Sequence, residues 1–390
     1  MLKTGRVLLG PAVTVLIASI ANAHPIPDVP VRSFFERDGS AVIRVEIDAR
    51  CLAKDPHTAP YLYNQALEAM TNRQREGLKQ RARDYVKRII EFRFQPMGRV
   101  VPQFEIKFTK RAGAKLEIAE DIVVVTCVWK TMLSEDRKSY QIKAREVGTL
   151  SVLFLNHIDG KAVERVHVLF PGETSFLLDL SGLTATSPSN LAEGSAVAAA
   201  SAGGRWGTLF GFLSLGFVHV VPRGLDHILF VLGLFLLSRE WRPLLWQVTT
   251  FTLAHTITLG LSTRGFVSVP SSLVEPVIAG SIAVVALENI YRPNYTHWRL
   301  VVVFIFGLAH GLGFAGSLIE MQLPPGTLVV ALLGFNIGVE CGQLTVIALA
   351  FGVTVWLRDA QHYRKFVVVP CSAVIALAGV WWMVERIAFR

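Results

Sequence analysis

Cysteine is scarce in this chain of 390 residues. Its four cysteines, Cys51, Cys127, Cys341 and Cys371, include no C-x-x-C pair, which excludes a dithiol redox motif and a cysteine-ligated zinc site. A phosphate-binding G-x-x-x-x-G-K-[ST] loop is also missing, as are zinc-finger spacing and an RNP-like strand. P-loop nucleotide chemistry and the common nucleic-acid modules are thereby excluded, although the formal net charge is +9. Charge itself is thin, at 18% of residues, and it is missing unevenly. Residues 24–205 alternate polar with apolar positions, whereas residues 206–385 form long apolar runs broken by short charged loops. A globular half followed by a membrane half accounts for that split better than one large soluble core. The basic excess then reflects affinity for anionic lipid and the cation bias of cytoplasmic loops, not a nucleic-acid partner.

The chain opens as an export signal. Lys3 and Arg6 precede an apolar stretch at 7–20, and Ala21-Asn22-Ala23 is a small-x-small cleavage site. Residues 1–23 are therefore expected to be a signal peptide, with His24 first in the mature chain. Residues 24–181 are expected to form an extracytoplasmic β-rich domain. Ala41 to Ile47 alternates as a strand, and strand-like runs follow at 101–108, 115–118, 121–129, 138–144, 149–156, 163–170 and 174–179. Tyr61 to Phe92 has helical spacing instead. A β-sandwich-like build with one long helix is the expectation. Cys51 and Cys127 fall in this exported part, where a disulfide persists, although spacing alone does not say whether they pair. His57, His157 and His167 are scattered and read as ordinary surface or strand residues.

Residues 182–205 are rich in Ser, Ala and Gly and read as a flexible linker. From 206 to 390 the sequence predicts an all-α polytopic bundle, with spans at 206–238, 243–263, 272–291, 299–319, 325–356 and 365–385. Pro222-Arg223-Gly224 should break the first of these, leaving 206–221 interfacial or re-entrant. With the first domain outside, six spans place Arg239/Arg242, Arg292/Arg299 and Arg358/Arg364/Lys365 all inside, as the positive-inside rule requires. Counting 206–221 as a separate seventh span reverses the later loops and loses that agreement. The expected setting is a multi-pass protein of the cytoplasmic (inner) membrane with a periplasmic N-terminal domain.

The chemistry lies in polar groups at membrane depth. GFVHVVPRGLDHILF carries His219, Asp226 and His227, and FTLAHTITLGLS carries His255. Glu288 ends the third span, His310 lies in the fourth, and GFNIGVECGQL supplies Asn336, Glu340 and Gln343. A charge near a helix centre costs about 2.5–3.5 kcal/mol on insertion scales, so these acids should face the bundle interior, paired or metal-bound. Asn336, Glu340 and Gln343 share one helical face by spacing. Imidazole with carboxylate suits zinc, nickel, cobalt, iron or manganese. The bland alternative is a hydrogen-bond network that only holds helices together. FTLAHTITLGLS and FGLAHGLGFAGS lie 55 residues apart, a faint echo of a duplicated two-helix unit.

The blocks H-x4-G-x-D-H-x-L-F, F-T-x-A-H-T/S-x-T-L, E-N, F-G-L-x-H-G-x-G-F-A and F-N-x-G-V-E-x-G-Q, in that order across 206–356, resemble the HupE/UreJ family. The resemblance implies a nickel or cobalt permease linked to hydrogenase or urease maturation. Its metal residues would be His219, Asp226 and His227, with Glu288 and Glu340 as later acids. Partners would be the lipid bilayer, the metal ion, and metallochaperones or maturation proteins of metalloenzymes. Two departures stand out. Val220 follows His219 where the short permeases usually have proline, and those permeases lack the domain at 24–181. A divalent transition-metal permease, with His219, Asp226, His227, His255, Glu288, His310, Asn336 and Glu340 as the metal set, is the first expectation. An intramembrane zinc-type hydrolase and a structural or assembly protein are the alternatives.

Overall fold

The structure is a computed structural model. It describes residues 28–53, 59–133, 138–148, 150–183, 204–237, 240–292, 294, 296–321, 323–355 and 360–388. The expected signal peptide, His24, His57 and nearly all of the linker lie outside the described residues.

The N-terminal part is β-rich. In chain order it has β1 (Val29–Phe35), β2 (Ser40–Asp48), α1 (Asn64–Ala69), α2 (Asn72–Ile89), β3 (Ile90–Gln95), β4 (Gly98–Val100), β5 (Glu105–Thr109) and β6 (Val124–Met132). β7 (Ser139–Ala144), β8 (Val152–Ile158), β9 (Lys161–Ala162), β10 (His167–Leu169) and β11 (Leu178–Asp179) complete it. One sheet has the order β10-β8-β1-β2-β6-β5 with β9 on β8, and the other has β11-β7-β3-β4. β1 pairs parallel with β8, while its other neighbour, β2, is antiparallel. Inward residues of both sheets, among them Phe35, Val45, Phe94, Trp129, Tyr140 and Phe154, share one core with Leu78, Ala82 and Val86 of α2.

Local chemistry corrects the expected elements. The single helix over 61–92 is two helices, because Thr71 and Gln74 form a capping box that restarts the chain. It ends at Ile89, where IEFRFQ alternates as β3. The expected strand at 115–118 is irregular, and the run at 163–170 pairs only over His167–Leu169. β1 carries no strand signal in the sequence, because Pro30 and Arg32 interrupt its apolar alternation. Cys51 and Cys127 are both buried and both free, so no disulfide joins them.

The C-terminal part is helical: α3 (Gly204–Val220), α4 (Leu225–Leu237), α5 (Trp241–Thr263), α6 (Ser271–Tyr291), α7 (Trp298–Glu320), α8 (Pro325–Thr354) and α9 (Val369–Ala388). α6, α7, α8 and the last helix are long and apolar enough to cross a membrane, and α3 with α4 makes a fifth such unit bent by 71°. α5 has 23 residues, roughly 34 Å of helix, but its threonines and His255 dilute its apolar character. Exposed Trp241, Tyr291 and Trp298, at the start of α5, the end of α6 and the start of α7, mark one end of the bundle with the aromatic belt of a membrane interface.

Small residues set the close helix crossings. A Cβ on Gly307 would lie 2.6 Å from the Phe251 carbonyl oxygen, and one on Gly311 2.5 Å from that of His255, which ties α7 to α5. α3 packs on α8 through Gly334 and Gly338, which face the carbonyls of Leu209 and Leu213. α9 packs on α6 where Gly379 meets Ala279 and Ala283. Gly334 and Gly338 stand 55 residues after Ala279 and Ala283, the interval of the sequence echo.

The two parts touch. Leu153, Leu155, Val166 and Val168, on the outer face of the large sheet, join the helical core beside Phe212 and Leu215 of α3. Thr208 Oγ1 donates to the Val166 carbonyl at 3.1 Å and Thr327 Oγ1 to that of Glu164 at 2.9 Å. Arg32, buried and paired with Glu46 at 3.2 Å, donates to the Met321 carbonyl at 3.0 Å.

Candidate metal site

The break between α3 and α4 brings two ends of the sequence block face to face. α3 ends at Val220, the chain turns through Val221–Gly224, and α4 starts at Leu225. A Cβ on Gly224 would strike the His219 carbonyl, so only glycine closes this turn. The turn sets the His219 and His227 rings 4.9 Å apart. His255 of α5 and His310 of α7 come to 6.1 Å and 5.0 Å from His227, which is the hub of the cluster. Candidate ligand atoms of His219, His227 and His255 lie within 4.8 Å of one another, and so do those of Asp226, His227 and His310.

The hydrogen bonds around the cluster fix which ring nitrogens carry lone pairs. Asn336 donates its Nδ2 to the Leu332 carbonyl at 2.8 Å, so its Oδ1 faces His255 Nδ1 at 3.0 Å. That contact requires a proton on Nδ1 and leaves Nε2 of His255 as a lone-pair donor. Ser281 gives its hydroxyl proton to the Ile278 carbonyl at 2.6 Å, so its oxygen accepts from His310 Nε2 at 3.1 Å. His310 Nδ1 is then the free lone pair. Asp226 Oδ1 accepts from His227 Nδ1 at 3.2 Å and from the His227 backbone N–H at 2.9 Å. These are the outer partners that orient metal-binding imidazoles. The nitrogens left over, Nε2 of His219, His227 and His255 and Nδ1 of His310, are buried without a protein hydrogen-bond partner. A buried polar atom without a partner is costly, and four in one cluster are a donor set awaiting an acceptor of electron pairs.

Phenylalanines wall the site. Phe314 lies 4.5 Å and Phe335 5.4 Å from the His219 ring, and Phe251 and Phe230 lie 5.0 and 5.3 Å from that of His310. Such walls exclude water and strengthen any electrostatic contact within them.

The two outer-partner bonds are related by the echo. His310 follows His255 by 55 residues, and Asn336 follows Ser281 by the same interval. Each histidine of one two-helix unit therefore bonds the second helix of the other unit, at the equivalent position. The Ala-His pairs stand out in the sequence, whereas Ser281 does not, since a lone serine in an apolar run carries no signal. The interval also shows that the counterpart of Glu288 is Gln343, not Glu340.

Six of the eight expected residues are thus gathered: His219, Asp226, His227, His255 and His310 directly, and Asn336 through His255. Glu288 and Glu340 are not in either ligand group. Glu288 lies 3.4 Å from Arg299, a fully buried guanidinium that also donates to the Asn289 side chain and the Gly233 carbonyl. Glu340 accepts from Thr249 at 2.7 Å, one turn along α8 from Asn336, and Gln343 accepts from Thr252 at 3.3 Å.

No curated protein and no solved structure matches this chain. Residues 195–386 match the family model described as HupE / UreJ protein. Through this helical region the chain belongs to the HupE/UreJ family.

Proposed function

We propose that the protein is a permease for a divalent transition metal of the nickel or cobalt type, with the histidine cluster as the place where the ion is held in passage. The observation that carries this reading is the set of four buried imidazole nitrogens, oriented by outer partners and left without protein hydrogen bonds beside Asp226. Neutral imidazoles with one carboxylate form a borderline donor set that suits nickel, cobalt and zinc, and no thiolate is present in either group. The two groups share His227, so an ion has neighbouring places to occupy. That arrangement fits a route better than the single fixed ion of a zinc hydrolase.

The supporting frame is a bundle of six spans, with α3 and α4 as one broken span and α5 counted among the six. Both ends then face the extracytoplasmic side, with the β-rich domain there. Broken helices with irregular backbone at the binding site are a recurring transporter device. Glu340 and Gln343 continue the polar face of α8 below Asn336 and form the next station of the route. Glu288 has another task, neutralising the buried Arg299. Metalloenzyme maturation proteins are the natural receivers of the ion inside.

The test is nickel accumulation by cells expressing the full chain. Asp226→Asn keeps the volume and removes the charge that replaces hydration of a divalent ion. Uptake should collapse while the amount of protein in the membrane stays the same. Undiminished uptake at equal expression would reject the permease reading.

A further inference from the structure

The β-rich domain reaches the metal site through one carboxylate. Asp28 precedes β1, and its position is fixed by the sheet, since the Val29 N–H donates to the Ser151 carbonyl at 2.9 Å. Its side chain is buried, and its Oδ1 lies 3.9 Å from Nη1 of Arg223. Arg223 stands in the turn between α3 and α4, four residues after His219 and three before Asp226. The turn backbone is held by a bond from the Arg223 N–H to the Val218 carbonyl at 3.3 Å. The direction of the side chain therefore decides where the cation sits relative to the two ends of the turn that carry His219 and Asp226. A guanidinium beside a divalent-cation site opposes entry of the ion unless an anion holds and neutralises it.

We propose that Asp28 is a positioning residue for metal binding: it draws the Arg223 cation toward the β-rich domain and so keeps the mouth of the histidine cluster open to a divalent ion. This inference rests on the metal reading of the cluster and gives the β-rich domain a part in it. Burial pushes the Asp28 carboxyl up to about 6, against the pull of Arg223 and Arg111. Keeping this carboxylate charged thus costs more than its partners return, so stability alone does not account for it.

Titration of nickel into the purified full-length protein tests the idea. Asp28→Asn removes the anion that faces the arginine and should weaken nickel binding roughly tenfold or more. Arg223→Gln alone should bind as well as the native protein or better. Asp28→Asn combined with Arg223→Gln should return to within about threefold of it. Native affinity in Asp28→Asn, or no recovery in the double variant, overturns the proposal. So does loss of affinity in Arg223→Gln, the result expected if the pair only fastens the domain to the bundle. Asp226→Asn is the control. Nickel binding that survives in that variant shows that the metal reading of the cluster is itself wrong, and the role of Asp28 falls with it.

Discussion

Replacing Gly311 by alanine is a small change with a large expected consequence. The new methyl would meet the Thr258 hydroxyl, the His255 carbonyl oxygen at 2.5 Å and the His255 Cα at 3.0 Å. Two of these three are backbone atoms and do not rotate away. Ordinary contacts between carbon atoms are about 3.5–4.0 Å, so α5 and α7 must part by roughly 0.5–1 Å. Overpacking of this kind costs about 1–3 kcal/mol. It also moves His255 away from His310, which sits one residue before the new methyl, by more than the roughly 0.5 Å that a binding constellation tolerates. Gly316 is the matched control, because a methyl there meets nothing within 4 Å. Thermal unfolding in detergent and nickel titration should both separate the two variants. Gly311→Ala should unfold several degrees earlier and bind nickel at least about tenfold more weakly, and Gly316→Ala should match the native protein. Native stability and affinity in Gly311→Ala would show that the close α5–α7 crossing does not set the site.

Two further outcomes follow from the geometry. Asn336→Leu removes the acceptor that sets the His255 tautomer, and nickel affinity should fall by roughly 10–100-fold in a protein that still folds; Ser281→Ala should act likewise through His310, and unchanged affinity in both would contradict the assigned tautomers. For Asp28, the folded carboxyl binds its proton more tightly than the unfolded one. Its contribution to stability is therefore full below the ordinary value of 3.8 and is lost as pH rises through about 6. Arg223 and Arg111 are the charges facing it, and the whole effect is about 3 kcal/mol at most. Asp28→Asn should flatten the melting temperature between these pH values, and an unchanged pH slope would remove Asp28 as its source.

Much of the helical half is legible in the sequence because lipid demands long apolar runs, and a polar residue inside one is conspicuous. His219, Asp226, His227, His255, His310 and Asn336 are found that way, and the structure gathers them. Glu288 is as conspicuous, but its partner Arg299 stands at the very start of the expected span and counts there as an inner-side cation, whereas it is buried in the first turn of α7. The apolar pattern does not say which buried charges meet each other. Ser281 was invisible for the opposite reason, being small and tolerated anywhere in a span. In the β-rich part, hydrophobic alternation found β2, β6 and β8. It failed at β3, where Ile89 and Ile90 serve the end of a helix and the start of a strand equally well. The contact of Asp28 with Arg223 was beyond reach, since it joins residues 195 positions apart across two different kinds of structure.

Whether the buried imidazoles hold a metal ion decides the permease reading. X-ray absorption at the nickel edge, on purified full-length protein loaded with nickel, tests it most directly. One ion per chain is expected, in a shell of nitrogen and oxygen with the scattering signature of several imidazoles and no sulfur. His227→Ala, which removes the residue shared by both ligand groups, should abolish that signal. A sulfur-ligated ion, or an imidazole signal that persists in His227→Ala, would show that this cluster is not the metal site.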